Sequence, residues 1–295
     1  MTGDVRFVGP LEAAGPEAVE LAAACEPQED RQWFEKVLNS DFVEQRQVVL
    51  AYDGEAIVGF GLTGHPHPMP ADWRILRVLV APTLRGHGLG GELHARLRTL
   101  APSAGVTLRS SAYDTDPRDL EIARHWGFES VQLSYTSTCA LDALPPAPPL
   151  PAGVSIEPTR DLHFPDEEEV EAMYDRSQTN PERAQFVGDL PFLRAFGVGP
   201  DGLGALLRVD GRPAALTWAM FTPPRAHVIY TGVDPAFRGR GYGALLKDRL
   251  HRLAGEAGAE VCTTNNEEHN AGIRHVNAEL GYVVSHGEHW LQQRI

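Results

Sequence analysis

Apolar residues in this chain come in short runs interrupted by Asp-Gly pairs. RQVVLAYDGEAIVGFGLTG (46–64) has one run on each side of Asp53-Gly54, and GALLRVDGRPAALTWAMF (204–221) repeats the arrangement around Asp210-Gly211. Each reads as two strands joined by an Asp-Gly turn, a β-hairpin. Further strands are predicted at VRFVG (5–9), WRILRVLVAP (73–82), VTLRSSAY (106–113), HVIYTGVDP (227–235) and AEVCTTNN (259–266). FESVQLSYTSTCAL (128–141) predicts one or two more, and YVVSHGEHWLQQRI (282–295) the closing strands. Helical spacing marks PEAVELAAACE (16–26), RQWFEKVLN (31–39), PRDLEIARHWG (117–127) and NAGIRHVNAELG (270–281). It also marks two segments that open on glycines, GHGLGGELHARLRTLAPSAG (86–105, ended by Gly105) and GYGALLKDRLHRLAGEAG (241–258). In the second of these Leu245, Leu246, Leu250 and Leu253 form one face, which predicts core. Hairpin, strand, helix, strand, helix and strand therefore follow one another twice. The fold class is α/β: mixed, mostly antiparallel sheets with flanking helices, in tandem.

A repeated skeleton supports the duplication. VAPTLRGHGLG (80–90) and VDPAFRGRGYG (233–243) share Val-x-Pro-x-x-Arg-Gly-x-Gly-x-Gly. Between the copies, LDALPPAPPLPAGV (141–154) carries five prolines, which lack an N–H and fix φ. It reads as a stiff linker. The expected division is a domain at 1–140, a linker at 141–153 and a domain at 154–295.

Charge and cysteines then narrow the function classes. The formal net charge is −14, which disfavours nucleic acid and anionic membrane partners. No run of about 18 apolar residues predicts a membrane span, and MTGDVRFVGP lacks the features of a secretory signal. Cys25, Cys139 and Cys262 are widely spaced, which suits a reducing cytoplasm. His65 and His67 lack acidic or Cys partners at ligand spacing, so they read as loop residues and no metal is expected.

The repeated loop carries the chemistry. Between a strand and a helix, glycines let the backbone turn tightly and aim N–H groups at one point, where the helix N-terminus adds its positive end. That arrangement binds phosphate. GHGLGG (86–91) and GRGYGA (239–244) also satisfy a dinucleotide fingerprint, but an antiparallel hairpin precedes each, unlike a Rossmann unit. A nucleotide-dependent oxidoreductase is therefore the lesser alternative.

Arg85-Gly86-His87-Gly88-Leu89-Gly90 and Arg238-Gly239-Arg240-Gly241-Tyr242-Gly243 resemble the acetyl-CoA signature of the GNAT N-acetyltransferases. TTNNEEHNAGIRHVNAELGY, with Asn270 opening a helix that ends at Gly281-Tyr282, and HWGF, ending at Gly127-Phe128, are similar to a second family feature. The resemblance covers essentially the whole chain outside the linker, as a tandem pair of actinobacterial kind. It implies a splayed strand pair in each domain, and acetyl-CoA as cosubstrate held by these two loops. It further implies main-chain contacts at Val80 and Val233, Asn266 and Asn270 beside the cofactor, and direct acetyl transfer to the amine of a small molecule. The position where many members have a sulfur-side tyrosine is Asn277, and the strand position that often carries Glu is Tyr230. These are the candidate catalytic residues. The matching residues of the first half are Arg77, which cannot be a base, Asp116, a carboxylate where an amide would meet CoA, and Ala123, which offers no donor. The first half is therefore expected to be structural, or to bind acetyl-CoA without turning it over. A non-enzymatic acetyl-CoA-binding protein is the competing class.

Overall fold

The structure, a computed structural model, describes residues 5–29, 31–67, 69–102, 104–178, 190–197 and 202–295. It divides into two units, Met1–Val131 with His289–Ile295, and Gln132–Glu288.

In the first unit β1 (Arg6–Leu11), α1 (Pro16–Cys25) and α2 (Arg31–Asn39) precede the hairpin β2 (Val43–Asp53) and β3 (Ala56–Pro66). β4 (Trp73–Val80), α3 (Leu89–Leu100), β5 (Thr107–Tyr113) and α4 (Pro117–His125) follow. Alternation along β2 sorts its side chains to two faces. Val48 and Leu50 pack with Val19, Phe34 and Leu38 of α1 and α2, whereas Val49 and Ala51 pack with Leu89, Leu93 and Leu97 of α3. Helices thus cover both faces, which is why β3 reads as a continuous apolar run. The strand order is β1-β2-β3-β4-β5, then the end of β12 (Val283–Arg294). β4 and β5 are parallel, from Trp73/Thr107 to Ile75/Arg109. The hairpin turn is Gly54-Glu55, one residue later than predicted, since Asp53 still pairs with Ala56. Gly54 supplies the positive φ of 63°.

The second unit contains most of β6 (Glu129–Ala140), then β7 (Val154–Thr159), α5 (Glu167–Ser177) and α6 (Leu190–Gly197). The hairpin β8 (Gly202–Val209) and β9 (Arg212–Thr222), β10 (Arg225–Val233), α7 (Tyr242–Glu256), β11 (Val261–Glu267) and α8 (Ala271–Glu279) complete it, with the start of β12. Its strands run β12-β6-β11-β10-β9-β8-β7. Asp210 and Gly211 both have positive φ, 48° and 81°, as a type I′ hairpin turn requires. Leu246 and Leu250 of α7 are fully buried, and Leu245 and Leu253 are partly buried against the core.

Three details depart from the sequence pattern. β7, α5 and α6 are not signalled by strong periodicity. The closing strands predicted at 282–295 are one strand, β12, and of the one or two expected at 128–141 there is one, β6. The Pro-rich segment 141–153, expected to divide the chain, lies inside the second unit. The physical reason is strand pairing. Ser134–Ala140 of β6 pair with β11, register Ser134↔Glu267 to Ala140↔Val261. The chain end instead closes the open edge of β5, where the Gly105 N–H donates to the Ile295 oxygen (2.7 Å) and the Ile295 N–H to the Val106 oxygen (3.0 Å). The β6–β11 register also brings Cys139 opposite Cys262, although they are far apart in sequence. Both are free, and burial pushes the Cys262 thiol up to about 12.

Candidate active site

In the second unit β10 pairs with β11 from Arg225/Val261 to Val228/Thr264, and the parallel register ends there. Against β9 on its other side β10 continues to Val233, after a bulge between Val228 and Tyr230. The parting of β10 and β11 opens a cavity of about 500 Å³. The end of α5 (Ser177), β10 (Tyr230–Val233), the glycine loop and the start of α8 (Asn270, Ile273, Val276) line it. Such a volume suits a small-ligand cleft.

The loop geometry follows from its residues. Asp234 is buried and accepts from the Ala236 N–H (2.9 Å) and Arg176 Nε (2.7 Å), which sets the short 3₁₀ turn Pro235–Phe237. Burial opposes ionisation of Asp234, but these donors prevail and hold its carboxyl below the usual range. Gly239 (φ 74°) and Gly241 (φ 76°) then take left-handed backbone, and Gly241 is the N-cap of α7. A Cβ on either would meet nothing within 4 Å, so the space before the helix N-terminus is open. The backbone N–H groups there form a cradle for an anion.

Not every predicted residue faces this cradle. Gly239, Gly241, Tyr242, Gly243, Val233, Tyr230, Arg238 and Asn270 line the cavity; Arg240, Asn266 and Asn277 do not. Arg238, expected as a phosphate ligand, spends two donors on the main chain: Nε to the Val233 oxygen and Nη2 to the Ser177 oxygen, both 3.0 Å. It pins the end of β10 to the end of α5. Arg240 lies 5.7 Å from the Phe237 ring centroid. Asn270 caps α8, its Oδ1 accepting from the Ile273 N–H (3.4 Å), and faces the cavity as well.

Asn266 and Asn277 lie outside the cavity lining. Both are buried, at 5% and 3% exposure. The Asn277 amide donates to Asn266 Oδ1, and its own Oδ1 accepts from Lys247 Nζ. Lys247, 1% exposed on α7, stands 4.6 Å from the Tyr282 ring centroid, and the Tyr282 hydroxyl lies 2.8 Å from His251 Nε2. The two ends of Asn277 thus hold α8 against α7 through Lys247 and against β11 through Asn266. Sequence reasoning missed Lys247, although one of only two lysines in an arginine-rich chain was a signal. It also missed Ser177, Ile273 and Val276, for which ordinary residue types gave none.

This network has a pH signature. Burial, helped by the Lys247 and Arg252 charges and opposed by Asp248, pushes the His251 imidazole down to about 4 from its ordinary 6.5. Between those values the unfolded chain takes up a proton that the folded chain refuses. The contribution is therefore fully present above pH 6.5 and is lost as pH falls toward 4, by about 3 kcal/mol in all. His251→Gln is expected to flatten the urea midpoint across that window. Equal pH slopes for the two proteins would assign the dependence to other groups.

The first unit keeps the loop geometry and changes its lining. Gly86 (φ 80°) and Gly88 (φ 85°) are left-handed and open, and Gly88 is the N-cap of α3. The cavity is about 460 Å³, lined by Val80, Arg85, Gly86, Gly88 and Gly90 among others. His87 and Leu89 are outside it; Leu89 belongs to the core. The Val80 oxygen already accepts from Arg85 Nε (3.2 Å) and Cys25 Sγ (3.5 Å). Arg77 is ion-paired with Glu26 and donates to Ser111 Oγ (3.0 Å). Asp116 caps α4, and Arg118, donating to it, holds its carboxyl down to about 2. Glu26, Asp116 and Asp119 line this cavity together with Arg77, Arg85 and Arg118, whereas Arg238 is the one charged side chain among the described residues lining the other.

Among the described residues no three His, Cys, Asp or Glu side chains are grouped to hold a metal ion. His65 lies in β3, its Nδ1 3.2 Å from the Trp73 oxygen, rather than in the loop expected for it. His67 has an acidic partner unseen in the spacing, Glu44, at 3.3 Å. No helix among the described residues is long and apolar enough to cross a membrane.

Comparison with known proteins agrees with the duplicated architecture. The model of the acetyltransferase (GNAT) family matches residues 15–128 and again 164–282. Mycothiol acetyltransferases of a Nocardioides species and of Thermobispora bispora are each 28% identical, over 74% and 80% of this chain and 80% and 79% of their own. A tandem GNAT protein from the clavulanic acid biosynthesis pathway superimposes with TM-score 0.76 at 22% identity, covering 98% of both chains. The GCN5-related N-acetyltransferase of Sphaerobacter thermophilus does so with TM-score 0.70 at 18% identity, over 99% of this chain and 96% of its own. With one family match over each glycine loop and its splayed strands, the chain belongs to the GNAT acetyltransferase family as a tandem pair, and is an N-acetyltransferase.

Proposed function

We propose that the second unit transfers an acetyl group from acetyl-CoA to the primary amine of a small molecule, with both substrates bound together. The observation that carries this is the cavity where β10 leaves β11 directly beside the open Gly239–Gly241 cradle. The cradle and the α7 N-terminus receive the diphosphate. The parted strands leave main-chain groups of β10 to pair with the pantetheine arm, which lays the thioester in the cavity.

Transfer balances without a further reagent. The neutral amine attacks the thioester carbonyl carbon, and a C–N bond forms. The tetrahedral intermediate collapses with loss of the C–S bond, giving an amide and the CoA thiolate. The amine's proton goes to solvent, and a proton from solvent reaches the thiolate. The protein contributes mainly by holding the two reactants together. Arg77, Arg85 and Arg118 of the first cavity are each paired with a carboxylate that lines it, Glu26 or Asp116, whereas no carboxylate lines the second cavity among the described residues, which supports placing transfer in the second unit.

The test is a steady-state assay with acetyl-CoA and a panel of amines, scored by mass spectrometry of the acetylated acceptor. The relatives' name makes an amine-bearing thiol the first acceptor to try. Double-reciprocal plots that intersect are the expected result. Parallel lines would indicate an acetylated enzyme and overturn the ternary complex.

A further inference from the structure

We infer that Ser177 fixes the direction of the Tyr230 proton, making the Tyr230 oxygen a hydrogen-bond acceptor for the incoming amine; this rests on the transfer reaction proposed above. Tyr230 and Ser177 both line the second unit's cavity and are buried, at 5% and 8% exposure. Ser177 is the last residue of α5, and Tyr230 follows the β10 bulge. Their hydroxyls are hydrogen-bonded to each other. The Ser177 Oγ is also within hydrogen-bond distance of the main-chain oxygen of Tyr174, one turn back on α5.

These contacts dictate the protons. A hydroxyl has one proton to give. The Tyr174 carbonyl can only accept, so both contacts are made at once only when the Ser177 proton points to it. The Ser177–Tyr230 bond then needs the Tyr230 O–H as donor. With its proton committed inward to Ser177, the phenol oxygen can only accept from a molecule in the cavity. An amine N–H is a donor of the required kind. The tetrahedral oxyanion is not, so Tyr230 is excluded as an oxyanion donor.

Two neighbours keep the pair in place. A Cβ at residue 232 would collide with the Tyr230 hydroxyl and come within 2.7 Å of Ser177 Oγ, so glycine is required at Gly232. Arg238 holds the Ser177 main-chain oxygen (3.0 Å), which ties this pair to the glycine loop. Ser177 is thus a positioning residue, and Tyr230 touches the acceptor.

The experiment compares wild type, Tyr230→Phe, Ser177→Ala and Ser177→Thr, with kcat/KM measured separately for the amine and for acetyl-CoA. Tyr230→Phe is expected to lower kcat/KM for the amine by about ten- to a hundredfold, the effect of losing one hydrogen bond to a polar or charged donor. The KM for acetyl-CoA should stay within about twofold. Ser177→Ala lets the Tyr230 proton rotate into the cavity, and about a three- to tenfold loss on the amine side is expected. Ser177→Thr restores the hydroxyl and should recover most of that loss. Thermal unfolding of each variant shows whether it is folded; a merely structural role would move Tm and leave the split between the two substrates unchanged. Transfer in wild type with no amine-side change in Tyr230→Phe or Ser177→Ala overturns this inference alone. No transfer by wild type to any amine overturns the proposed reaction and the inference with it.

Discussion

Gly241→Glu abolishes acetyl-CoA binding at the second unit and acetyl transfer with it; this is the largest effect expected. Gly241 holds φ 76° at the N-cap of α7. A non-glycine residue there costs about 1 kcal/mol. The new Cβ meets nothing within 4 Å, so no neighbour is displaced and the fold survives. The added carboxylate occupies the open space before the helix N-terminus, where it satisfies the very N–H groups that the diphosphate needs. It also repels that ligand. Loss of those bonds plus repulsion amounts to at least about 3 kcal/mol, or more than a hundredfold in Kd. A thermal-shift titration with acetyl-CoA and CoA, paired with initial rates, reads this directly. Gly88→Glu makes the equivalent change in the first unit, where φ is 85° and the space is equally open. Turnover is expected to persist there. Loss of turnover in Gly88→Glu, with Gly241→Glu active, would place the reaction in the first unit instead.

Asn277→Ala is the second large effect, and it falls on stability. Alanine removes the oxygen to which the buried Lys247 ammonium donates, and the amide that satisfies Asn266. Leaving a charge inside with a donor unmet is among the most expensive single changes, here about 2–4 kcal/mol. In a unit of this size that lowers Tm by roughly 5–12 °C. The kcat measured well below Tm should stay within about threefold of wild type. A catalytic Asn277 gives the reverse: an unchanged Tm and a loss of about a hundredfold or more in kcat. The two measurements therefore decide whether this residue serves the fold or the chemistry.

The same residue shows where sequence reading stops. Counting back from Gly281 locates a family position along α8 but not which way it faces. Ile273 and Val276 turn to the cavity, whereas Asn277, about 100° further round the helix, turns to α7. Locally encoded features were legible because neighbouring residues determine them: the Asp210-Gly211 turn, the glycines before each helix, and the buried Leu246 and Leu250. The repeated skeleton was legible because it was written twice. Pairings between distant segments were not. Nothing in GEHWLQQRI says that its end will lie on β5, and nothing in DRSQ says that Ser177 will meet Tyr230. Arg238 shows a subtler limit, since the chemistry that suits guanidinium to phosphate suits it equally to two carbonyls.

The placement of His289–Ile295 in the first unit separates the order of synthesis from the order of folding. A ribosome releases β1 to β5 early, yet the strand that closes the edge of β5 is made after the whole second unit. During that interval a row of unpaired N–H and C=O groups stands open to any strand in the cell. The first unit is thus the earliest made and the last completed, and its final closure depends on a segment delivered only after its neighbour has been translated.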